Sequence, residues 1–119
     1  MLNLDTHILI HALEGDLKPR ERELLTSDRW SISAIVLWEM AKLHQLGRIS
    51  LDVDSADLVR ALAPVYVWPL DLAVCRQIKR LDFQGDPADE IIASTSIVNN
   101  VPLVTRDRVI RRSKIVPLV

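Results

Sequence analysis

Apolar residues along this chain fall in short runs, and their spacing alternates between strand-like and helix-like. Residues 1–5 form a brief apolar run that ends on an acid, which predicts a buried strand with Asp5 at its C-terminal end. Residues 6–13 follow without a breaker and predict a helix that Gly15 stops. Residues 18–27 are charged, with Leu24 and Leu25 to one side, as in a short surface helix. Residues 29–32 predict a second strand, with Trp30 and Ile32 on one face and Ser31 on the other. Ser33 is placed to cap a longer helix over residues 34–46, closed by Gly47. Its inward stripe is Ile35 or Val36, Met40, Leu43 and Leu46 or Gly47, with Glu39 inside that stripe. Leu37, Trp38 and Ala41 carry the apolar surface further round, so this helix is buried on two sides or meets a partner.

The second half repeats the alternation. Asp54 or Ser55 starts a helix that ends before Pro64, and residues 65–68 are β-branched and aromatic, a third strand. Residues 71–81 predict a helix with Leu72, Val74, Cys75, Ile78 and Leu81 as its apolar set. Residues 85–94 pack three acids into five positions and then turn apolar. Asp86 suits an N-cap, Pro87 the first helical position, and Asp89 and Glu90 the first turn, where the helix dipole favours negative charge. That helix is expected to run to Asn99 or Asn100. Residues 102–105 predict a fourth strand, 106–112 a helical turn, and 115–119 a last strand with Pro117 marking an edge. Strands alternating with helices imply a single α/β domain over residues 1–119, a parallel sheet between helical layers. Functional groups in such folds gather beyond the carboxyl ends of the strands.

Four carboxylates occupy strand ends or helix starts: Asp5, Glu39, Asp89 and Asp107. An acid on an apolar stripe, as Glu39 is, costs free energy unless it binds a metal or is paired, and a salt bridge is the alternative. Carboxylates crowded together without a cation repel and raise one another's pKa. Hard divalent cations take oxygen ligands, so a shared pocket of these acids would suit Mg²⁺ or Mn²⁺. Two such ions roughly 3.5–4 Å apart can activate a water and stabilise the leaving oxygen of a phosphodiester.

Composition removes other classes. With 49% hydrophobic residues the chain can build a core, and its formal charge of −1 leaves only local patches for nucleic acid. Cys75 is the only cysteine, so no internal disulfide forms; a cytoplasmic protein is expected, with Cys75 a small buried hydrophobe. No basic leader precedes a long apolar run, and no run approaches the roughly 20 residues of a membrane span. Three ungrouped glycines cannot make a phosphate-binding loop or a dinucleotide fingerprint. His7 and His11 share one helix face without a motif acid between them, and no serine or threonine has an adjacent base.

Leu4-Asp5-Thr6, Ser33 followed by Trp38-Glu39, Asp86-Pro87-Ala88-Asp89 with Ile92-Ala93, and Val104-Thr105-Arg106-Asp107 together resemble the PIN-domain ribonucleases, most of all the VapC-type toxins. The resemblance covers essentially the whole chain. It implies a PIN-like three-layer fold and a Mg²⁺- or Mn²⁺-dependent endoribonuclease held inactive by a cognate antitoxin. The family's acidic quartet carries over to Asp5, Glu39, Asp89 and Asp107. Thr6 and Thr105 match hydroxyls that order those acids, and Asp86 matches a recurrent Asp-Pro, taken chiefly as a cap. Glu90 departs from a position where relatives often carry a basic residue. The family also commonly pairs through helices, so a homodimer with Trp38 at or just under its interface is expected. Arg106, Arg108, Arg111, Arg112 and Lys114 follow Asp107 closely and suit either a rim that meets RNA phosphates or an ordinary solvated face. From another class comes a protein-binding module that kept the fold and lost turnover. A phosphotransfer pocket fits least, because His7 stands where a phosphatase of that kind needs a second Asp.

Overall fold

The structure, a computed structural model, describes all 119 residues. Four strands form one parallel sheet: β1 (Leu2–Leu4), β2 (Trp30–Ser33), β3 (Tyr66–Trp68) and β4 (Leu103–Val104), in the order β3-β2-β1-β4. Seven helices connect them: α1 (Thr6–Glu14), α2 (Pro19–Thr26), α3 (Ala34–Gln45), α4 (Ala56–Leu62), α5 (Leu72–Ile78), α6 (Pro87–Asn99) and α7 (Arg108–Arg111). The α/β layering read from the sequence is what forms. Leu2, Asn3 and Leu4 are all buried although successive side chains point to opposite faces, so helices cover both sides of the sheet.

Local chemistry explains most boundaries. The Ser33 hydroxyl accepts the Ile35 N–H at 3.3 Å and starts α3. Asp71 caps α5 through the Val74 N–H at 3.0 Å. Pro87 opens α6, and Asn100 closes it in the left-handed conformation, φ 52°. The core gathers Leu4, Leu9, Ile32, Met40, Ile92 and Leu103, none with more than trace exposure.

The chain runs outward through β1, β2 and β3, then crosses back beyond β1 to place β4 on its other side. The direction of progression reverses between β1 and β4, which puts the switch-point crevice of such folds at the carboxyl ends of those two strands.

Four expectations are corrected. The last strand shrinks to a single parallel bridge between Leu103 and Leu118. Pro117 has no N–H to give, and the Ile115 and Val116 amides turn instead to the Ser113 hydroxyl at 3.2 and 3.1 Å. On α5, Val74 and Ile78 share the inward stripe while Cys75 and Leu72 lie off it; the thiol is exposed, not buried. Leu46 ends α3 in solvent rather than in its inward stripe. Asp86 does precede α6, and its carbonyl accepts the Glu90 N–H at 3.1 Å, but its carboxylate caps no amide.

Candidate active site

Asp5 is the first residue beyond β1. Its amide still pairs with the Val104 carbonyl of β4 at 3.3 Å. Its side chain caps α1, Oδ1 accepting the Ile8 N–H at 2.8 Å, while Oδ2 accepts the Thr105 hydroxyl. Thr105 Oγ1 in turn accepts the Asp107 N–H at 3.0 Å. One hydroxyl therefore joins two acids from opposite ends of the chain. Asp107 caps α7 with Oδ1, taking the Val109 and Ile110 N–H groups at 2.9 Å each and leaving Oδ2 free. Both aspartates are N-caps as well as strand-end acids, a dual use the strand pattern alone does not disclose.

Glu39 enters from α3, half-buried, with Oε1 accepting the Thr6 hydroxyl beside Asp5. No lysine or arginine pairs with it, so the salt bridge weighed from the sequence does not form. Asp89 sits half-buried in the first turn of α6. Its carboxyl is pushed up to about 6, first by burial and then by repulsion from Asp107, Glu39, Asp86 and Asp5. Burial also raises the Asp5 carboxyl, and Asp107 adds to it; the Thr105 and Ile8 hydrogen bonds and His7 act in the opposite direction. Asp5, Glu39, Asp89 and Asp107 thus share one electrostatic field at the β1/β4 crevice. No three of the chain's His, Cys, Asp and Glu side chains stand at metal-ligating spacing.

The arginine rim divides. Arg106 turns away from the crevice and grips Glu21 of α2 through Nε and Nη2, at 2.7 and 2.6 Å. That guanidinium holds the Glu21 carboxyl down to about 2. Arg111 Nη1 is spent on the Thr105 and Val119 carbonyl oxygens at 3.1 and 3.2 Å. Arg108 and Arg112 are exposed and form no ion pair. His7 is exposed, whereas His11 Nδ1 lies 3.6 Å from Asp16, so the two histidines do not converge.

The model of the PIN domain family matches residues 3–115 of the sequence, spanning every element that carries these acids. The chain belongs to the PIN-domain family. It is 30% identical over 118 residues to Ribonuclease VapC22 of Mycobacterium tuberculosis, an alignment covering 91% of this chain and 88% of that protein. Its fold is similar to VapBC2 from Rickettsia felis, solved bound to a DNA fragment from their promoter, with TM-score 0.75, 22% identity, and 100% and 98% of the two chains covered. A toxin–antitoxin complex from Klebsiella pneumoniae aligns with TM-score 0.73 and 17% identity, covering 100% of this chain and 96% of that one.

In this PIN domain one positioning residue escapes the sequence pattern. Asn3, buried in the middle of β1, donates Nδ2 to Ser96 Oγ at 2.9 Å and to the Ile92 carbonyl at 3.5 Å. That clamp lays α6 along β1 and brings its first turn, with Asp89, to the strand tip where Asp5 stands. The only sequence signal is a polar residue inside an apolar strand and another inside an apolar helix.

Proposed function

We propose that this PIN domain is a divalent-metal-dependent endoribonuclease and the toxin of a toxin–antitoxin pair. The observation that carries the proposal is the hydrogen-bonded set at the β1 and β4 strand ends, where Thr105 holds Asp5 and the Asp107 amide and Thr6 holds Glu39, with Asp89 near enough to feel the other acids. The fold gathers four carboxylates and ion-pairs none of them with lysine or arginine. An all-oxygen donor set of net negative charge suits a hard cation, so Asp5, Glu39, Asp89 and Asp107 would hold Mg²⁺ or Mn²⁺. Bound there, the ion supplies water activation and stabilisation of the leaving phosphodiester oxygen. The chain's own groups do the positioning: Thr105 fixes Asp5 and the Asp107 backbone, and Thr6 fixes Glu39. Asp86 adds to the negative field at Asp89 rather than capping α6 with its side chain. Arg108 and Arg112 are free to meet RNA phosphates, contacts that position a strand without reading its sequence.

The relative's name, ribonuclease, and the toxin–antitoxin complex among the structural neighbours support the substrate and the partner. No helix is long and apolar enough to cross a membrane. The test is cleavage of a generic single-stranded RNA in Mn²⁺. Cleavage that stops with chelator and returns with excess metal is expected. RNA left intact in Mn²⁺ and Mg²⁺ alike would point to the non-enzymatic binding module.

The proposal includes a homodimer. Trp38 on α3 is 59% exposed, so its own chain does not bury it. Leu72 on α5, 63% exposed, adds apolar surface, and a two-fold pairing is the commonest way to cover such surface. Light scattering at micromolar concentration is expected to give twice the 13.5 kDa chain mass, and Trp38→Ala to lower it. A wild-type monomer at that concentration would exclude the dimer.

A further inference from the structure

Away from the acids, positive charge concentrates where the start of α2 meets the β4–α7 connection. A cavity of about 270 Å³ opens there, lined among others by Lys18, Arg20, Glu21, Thr105, Arg106 and Arg111. Four cations face the Glu21 carboxylate and the main-chain oxygen of Val119. Arg106 is spent on Glu21, and Arg111 is pinned by backbone carbonyls, so these two build a fixed wall. Lys18 and Arg20 are exposed and form no ion pair. The space is several times the ~30 Å³ share of one water, enough for a phosphate group with part of its hydration. No aromatic side chain lines the cavity, so it has no platform on which a base could stack.

The position matters as much as the charge. The Thr105 hydroxyl holds Asp5 and the Asp107 amide on the crevice side, while its carbonyl anchors Arg111 in the cavity wall. The acidic crevice and the basic cavity therefore share one residue as their partition. A chain of formal charge −1 offers RNA no general attraction, so binding needs a focused patch of this kind. A nucleic-acid strand carries further phosphates on either side of the scissile one, and a neighbouring basic cavity suits one of them.

We infer that this cavity is a phosphate subsite for the RNA strand, holding a phosphate that flanks the one presented to the carboxylates. Lys18 and Arg20 make the contacts, and the Arg106–Glu21 pair with Arg111 sets the shape of the wall. The inference rests on the ribonuclease reading but is tested without turnover. Binding of a fluorescein-labelled single-stranded RNA is followed by anisotropy in EDTA across a salt series. The proteins are wild type, Lys18→Ala/Arg20→Ala, and Lys42→Ala/Arg48→Ala, a control that removes two exposed cations elsewhere. The first pair is expected to weaken binding about tenfold and to shallow the log–log salt slope by about 0.7, the value for one phosphate of a single strand. The control is expected to change neither by half as much. Equal losses in the two double variants, or an unchanged slope in the first, would overturn the subsite. So would displacement of the RNA by polyglutamate as effectively as by unlabelled RNA of equal charge, which would assign the cavity to an acidic protein segment. A wild type that shows the predicted binding differences yet cleaves nothing in Mn²⁺ would uphold the subsite and reject the nuclease.

Discussion

Asp5→Asn is expected to lower RNA cleavage by about a thousandfold or more while leaving the fold intact. The magnitude follows from losing several kcal/mol of metal-assisted stabilisation at about 1.4 kcal/mol per decade of rate. Asp5 is the acid most deeply set in the crevice, and its two oxygens are already oriented by the Ile8 amide and the Thr105 hydroxyl. Asparagine keeps an oxygen for the Ile8 N–H, so the cap on α1 survives the change. It also removes a charge that burial and Asp107 both disfavour. Without metal, the variant should therefore melt at the wild-type temperature or slightly above it. A clear fall in metal-free melting temperature together with retained cleavage would make Asp5 a structural residue only.

The second large effect is a pH-dependent response to metal, centred on Asp89. Its carboxyl titrates at about 6 in the folded chain against an ordinary value of 3.8. Between those values the folded state keeps a proton that the unfolded state has released, so stability falls as pH rises through that window and is flat above it. The side chain is half-buried, and solvent screening reduces the full linkage to about 1 kcal/mol. Metal-free protein is thus expected to melt higher at pH 5 than at pH 7. Mn²⁺ acts in the other direction. At a hundred times its Kd it adds about 2.7 kcal/mol, several degrees of melting temperature in a domain of this size, and the gain grows from pH 5 to pH 7 as protons leave the acids. Asp89→Asn should flatten the metal-free pH dependence and shrink the Mn²⁺ response. If this variant followed wild type on both counts, Asp89 would play no part in a metal centre.

Much of this architecture is written in short stretches of sequence because the forces that set it are local. Ser33, Asp71, Pro87 and Asn100 mark helix ends through atoms only a few residues away. The alternation of apolar runs is enough to imply a parallel sheet between helices. Asp5, Asp89 and Asp107 stand out because strand ends and helix starts are recognisable one segment at a time, and Glu39 because it is a charge on the apolar stripe of α3. What the sequence by itself does not determine is which distant groups meet. Strand order decides that: placing β4 beside β1 is what lets Thr105 reach Asp5 and Asp107 together. The Asn3 clamp on Ser96 and the Arg106 grip on Glu21 likewise join residues far apart in the chain. The first aims Asp89 at the crevice, and the second withdraws an arginine expected to face RNA. Cys75 is exposed and the last strand reduces to a single bridge for the same reason. A short helix buries only the stripe its neighbours cover, and an edge segment pairs only if no nearer acceptor takes its amides. Local propensity set the elements, whereas the charges, the exposed faces and the partition between acidic crevice and basic cavity were decided by tertiary packing, because each depends on what a distant segment brings alongside.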